Sequence, residues 1–146
     1  LGDVYKRQFG TLTGSEAGLT NAVNNALADA GMTIDDIDAV FGFANGMKAV
    51  DDVEIKGLTA VFGDKLAEKP VVELKEVLGE SRAAAATTAA AHAALMFAGK
   101  IPSQEAYSIA ADGSVSKTNV EASKLNNVLV AAYGAGGSYT AIVLSK

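Results

Sequence analysis

One histidine and no cysteine leave this 146-residue chain with few side chains able to move protons or attack a carbonyl. The residues that could do chemistry gather in two segments, FANGMKAVDDVE (43–54) and LKEVLGES (74–81). Asn45 offers an amide donor that does not titrate near neutral pH, whereas an ionised Glu80 only accepts hydrogen bonds. Lys75 is a compact positive charge leaving a strand-like segment, with Glu76 and Glu80 close enough in sequence to pair with it. Structural roles compete at every one of these positions. Asn45-Gly46 is an ordinary turn dipeptide. Glu80 precedes a helical stretch whose dipole favours an anion by about 0.3–1 kcal/mol. Asp51-x-x-Glu54 has the spacing of a variant capping box, with Asp51 on backbone donors and Glu54 reaching back.

The remaining candidates are weaker. His92 lies inside an alanine-rich helix, far from both segments, and reads as a core or interface histidine. Ser81 reads as a helix cap, and no Ser/His/Asp set assembles around it. Gly134-Ala135-Gly136-Gly137 permits a tight turn. It precedes a strand, so it is not a dinucleotide fingerprint. No cofactor is implied, and no His/Asp/Glu cluster has metal-ligand spacing.

These positions need elements to hold them. Ser15 caps a helix over 16–30 that places Leu19, Val23, Ala26, Leu27 and Ala30 on one face and stops at Gly31. Ile37–Ala44 is short, apolar and bounded by turn residues, as a buried strand is. A helix over 51–62 follows, with Val53, Leu58, Val61 and Phe62 inward, ending at Gly63. Pro70–Leu74 reads as a second buried strand, its proline at the first position. Helix 82–99 holds ten alanines in eighteen residues, so it is apolar nearly all round and suited to burial between layers. Residues 103–125 read as a loop with a short hairpin. Asn127–Ala132 and Ser138–Leu144 alternate as paired strands about the Gly-rich turn. Phe9–Thr13 could be a strand stub, giving the order (β)αβαβαββ and a mostly parallel α/β sheet with an antiparallel edge.

Bulk properties narrow the function classes. With 49% hydrophobic residues the chain can bury one real core. A net charge of −5 gives nucleic acid no electrostatic footprint. No apolar run reaches membrane-spanning length. The lack of cysteine excludes disulfides within this stretch and fits a cytoplasmic protein. LGDVYKRQ (1–8) carries no helical or strand period and reads as a translated sequencing-adapter scar, leaving 9–146 as one domain.

The order of the two turns, EAGLTNAVNNALADAGMTIDDIDAVF (16–41) and NNVLVAAYGAGGSYTAIVLSK (126–146) resemble the C-terminal half of a β-ketoacyl-acyl-carrier-protein synthase. The resemblance covers about residues 14–146 and implies a thiolase-like αβαβα layered fold, with helix 82–99 as its buried central helix. It also implies an upstream half carrying a nucleophilic cysteine. In condensing members each turn offers a histidine. The matching positions here are Asn45 and Glu80. Lys75 matches a lysine that orders the site, and Asp51 and Glu54 match an acidic pair after the first histidine. Ala135 stands where a gating phenylalanine is usual, so Ala135, Gly136 and Gly137 map to the acyl tunnel. Two histidines serve malonyl decarboxylation and oxyanion stabilisation, and losing one such donor costs about 3–4 kcal/mol. The resemblance therefore points to a chain-length-factor-like, non-condensing subunit of fatty acid or polyketide biosynthesis. Its implied partners are an active synthase, or itself as a dimer, and an acyl carrier protein. The alternative is a divergent synthase or acyltransferase that uses the upstream cysteine with Asn45 and Lys75.

Overall fold

The computed structural model describes residues 14–79, 85–134 and 136–146. The expectations for the 1–8 scar, the 9–13 strand stub, Glu80, the Ser81 cap and Ala135 fall outside these residues.

Helix α1 spans Glu16–Ala30. Ser15 Oγ accepts from the Gly18 N–H at 3.2 Å, and Gly31 closes the helix in the left-handed region at φ 65°. Leu19, Val23 and Leu27 are buried one turn apart, as the spacing predicts, while Ala30 is exposed. Strand β1 (Ala39–Phe41) is buried at every residue. Helix α2 spans Lys48–Phe62, beginning earlier than the 51–62 expected, and buries Val50, Glu54, Gly57, Leu58 and Phe62. Val53 and Val61 are only half-buried.

Strand β2 is reduced to Val71–Val72, and a one-turn helix, α3 (Lys75–Leu78), follows it. The alanine-rich helix α4 is described over Ala85–Phe97. Strands β3 (Ser103–Ile109) and β4 (Val115–Glu121) form a hairpin of seven paired positions, much longer than the short hairpin expected within 103–125. Strands β5 (Asn127–Gly134) and β6 (Ser138–Ser145) close the chain antiparallel, as expected.

All six strands join one sheet in the order β4-β3-β2-β1-β5-β6. Only β2-β1-β5 is parallel; the flanking pairings are antiparallel, so the sheet is mixed and not mostly parallel. The correction comes from the β3–β4 hairpin, which adds two strands to the expected order. β4 exposes most of its residues and so lacks the half-buried alternation that marks a strand.

Two cores flank the sheet. On one face α1 and α2 pack Leu19, Val23, Leu58 and Phe62 against Val40, Val71 and Leu129. On the other face α4 packs Ala89, Ala93 and Met96 against Phe41, Val72, Val128 and Val130. Alternate residues of β1 thus feed opposite cores, which is why its run is uniformly apolar. α4 buries one face only: Leu95 is 46% exposed and Ala91 and Ala94 are exposed beside it. Among the described residues no helix is long and apolar enough to cross a membrane.

Candidate functional site

The parallel strands β1 and β2 end side by side, with Val40 opposite Val71 and Phe41 opposite Val72. Their carboxyl ends lead into the two turns that carry Asn45 and Lys75. Open α/β sheets characteristically place ligands beyond this end of the strands.

In the first turn Asn45 is folded onto its own backbone. Its Oδ1 accepts from the Met47 N–H at 3.1 Å, its N–H donates to Asp51 Oδ1 at 3.0 Å, and Gly46 follows at φ 82°. This is an Asx-type turn. Asp51 and Glu54 do not form the capping box expected at a helix start, because α2 begins at Lys48 and Met47 caps it without a side-chain bond. They reach further back instead. Glu54 Oε1 accepts from the Phe43 N–H at 2.6 Å and Glu54 Oε2 from the Ala44 N–H at 2.9 Å. Three consecutive backbone donors are therefore held by two carboxylates of α2. Buried donors of this kind are costly to leave unpaired, about 1–3 kcal/mol each.

Glu54 is 2% exposed and lies against Glu73, with which it shares a side-chain hydrogen bond. Burial pushes the Glu73 carboxyl well above the usual carboxylate range, and the neighbouring Glu54 charge pushes it further. Burial also raises Glu54, opposed by the hydrogen bonds from Glu73, Phe43 and Ala44. Gly42 makes the space. A Cβ there would overlap Glu73 Oε1 and stand 2.6 Å from Glu54 Oε1. The sequence reading passed over Glu73 as part of an apolar strand. Its one visible signal is a glutamate ending the buried run Val71–Val72.

Lys75 is half-buried at the start of α3 and borders a cleft of about 60 Å³ with Gly42, Leu74 and Thr88. Ala44, Gly46, Asp51, Glu54 and Glu73 border a different cavity of about 170 Å³ on the α2 side, with Tyr107 of β3. The two site turns are thus adjacent, and the cleft beside Lys75 differs from the cavity bordered by Ala44, Gly46 and Asp51.

The Gly-rich connection comes to the same end of the sheet. Gly136 and Gly137 have φ 101° and 86°, and the Gly137 N–H donates to Gly134 O at 3.1 Å. Tyr133 and Tyr139 flank it with ring centroids 5.2 Å apart, and Phe43 of the first turn packs 5.8 Å from Tyr133. This aromatic trio joins the Asn45 turn to the Gly-rich connection. His92 stays apart. Its ring lies 6.1 Å from Phe41, it hydrogen-bonds Gln104, its Nε2 is buried without a partner among the described residues, and burial lowers its pKa. No group of three or more His, Cys, Asp or Glu among the described residues is arranged to hold a metal.

Residues 6–108 match the family described as Beta-ketoacyl synthase, C-terminal domain. The chain belongs to the β-ketoacyl synthase family. Proteins named polyketide beta-ketoacyl synthase 2 are similar to it over 134 residues, at 29% identity in Streptomyces halstedii and 31% in Streptomyces coelicolor. Each match covers 90% of this chain and 32% of the relative, so the chain spans about a third of their length. Among solved structures, the ishigamide ketosynthase/chain length factor superposes with a TM-score of 0.77 at 24% identity, covering 92% of this chain and 34% of that one. That likeness shows the thiolase-like α/β fold.

Proposed function

We propose that the protein containing this domain is a non-condensing β-ketoacyl synthase paralogue of polyketide biosynthesis, paired with a condensing synthase whose acyl tunnel it helps to shape. The observation that carries this reading is the closed turn at Asn45. Its side-chain oxygen is engaged by the Met47 N–H, and a carboxamide cannot shuttle a proton near neutral pH. A site that must stabilise an enolate needs donors aimed at the developing charge. Glu80, at the second histidine position, would repel that charge when ionised. The names of the relatives and of the superposed structure support polyketide chemistry and a ketosynthase partnership.

An acyl carrier protein would deliver substrate to the active subunit, and Gly136 and Gly137 would contribute to the tunnel wall. The test is reconstitution of the full-length protein with a candidate synthase and malonyl-loaded carrier protein. The protein alone should neither decarboxylate malonyl groups nor condense, while its addition should change the chain length made by the synthase. Condensation by the purified protein alone would overturn the reading in favour of a divergent acyltransferase.

A further inference from the structure

Glu54 and Glu73 come from different elements, α2 and the segment after β2, yet meet in a space that only a glycine at position 42 leaves open. Both oxygens of Glu54 already accept backbone N–H groups. Glu54 therefore acts as the carboxylate of the pair. Glu73 Oε2 is buried without a partner among the described residues, and the bond between the two side chains needs a proton that Glu73 alone is placed to supply. Two buried like charges in contact cannot both persist.

We propose that Glu54 and Glu73 share a single proton and form an acid-pair latch, which ties the turn bearing Asn45 to the turn bearing Lys75 and opens when that proton is lost. The proton goes to solvent and no bond between heavy atoms changes. Asp51 of α2 faces the pair and adds to its negative field, Lys75 of α3 opposes it, and Tyr107 of β3 borders the adjoining cavity. With Glu73 raised in the folded state, the latch's stabilisation is fully present below the ordinary glutamate range. It is lost as pH rises through the folded value. The latch is a property of this chain's own residues and stands whether or not the partner-subunit reading holds.

The test is infrared spectroscopy of the full-length protein at neutral pH, compared with Glu73→Gln, whose amide can still donate to Glu54 without titrating. The wild type should show a protonated-carboxyl C=O band that Glu73→Gln lacks. Amide exchange at Phe43 and Ala44, corrected for intrinsic rates, should lose protection as pH rises in the wild type and stay flat in the variant. The wild-type exchange series needs no variant, so a misfolded Glu73→Gln leaves the test intact. Absence of the acid band in the wild type, its persistence in Glu73→Gln, or wild-type protection independent of pH would each overturn the proposal.

Discussion

Ser15, at the head of α1, donates its backbone N–H to Tyr139 Oη on β6 at 2.5 Å, across 124 residues of sequence. The same tyrosine ring fills the space in front of Gly18, where a Cβ would stand 2.6 Å from Cδ2. Tyr139→Phe removes the acceptor but keeps the ring, and should cost about 0.5–1.5 kcal/mol. Gly18→Ala would gain up to about 1 kcal/mol of helix propensity, but overpacking against a ring held between Phe43 and Tyr133 costs about 1–3 kcal/mol. The net effect should therefore be destabilising. Urea midpoints of the two variants check both, and a Gly18→Ala midpoint above the wild type would mean that the ring can yield.

Gly42→Ala should destabilise by about 3 kcal/mol, because the added methyl meets carboxyl oxygens that are themselves hydrogen-bonded. Shortening the obstructing side chain in Gly42→Ala/Glu73→Ala should restore part of that loss. Thermal unfolding of the two single variants and the double variant gives the coupling. Additive losses would place Glu73 away from Gly42.

Asp38 sets the register of β5 against β1. Its Oδ2 accepts from the Asn126 N–H at 2.7 Å and the Asn127 N–H at 2.9 Å, while its own N–H donates to Asn127 O. Asp38→Ala should cost about 1–3 kcal/mol by orphaning those donors. Faster hydrogen exchange at Asn126 and Asn127, with β6 unaffected, is the expected signature.

The free face of α4 carries Leu95 and flanking alanines. Expressed by itself, the 146-residue chain should self-associate through this face. Leu95→Glu should shift its sedimentation toward monomer. The same substitution should destabilise the full-length protein if α4 is covered there, as the layered fold implies.

Much of the scaffold was legible because its signals are local. Ser15 and Gly31 bound α1 through their own backbone chemistry, and the apolar runs of β1 and β5 follow from burial on both sheet faces. The Gly136-Gly137 turn follows from two positive φ values that favour glycine. Asn45 was recognisable as a turn residue from its dipeptide alone.

What escaped sequence reading depends on partners distant in the chain. β4 exposes most of its residues, so only its pairing with β3 makes it a strand. The start of α2 at Lys48 leaves Asp51 and Glu54 one turn inside the helix, positioned to reach back to residues 43–45. The Glu54–Glu73 pair needs the parallel register of β1 with β2, which brings Gly42 beside Glu73. Residue types and local spacing therefore set the elements, their caps and the turn at Asn45. Long-range packing set the carboxyl pair, because two buried acids share a proton only when the fold forces them into one space.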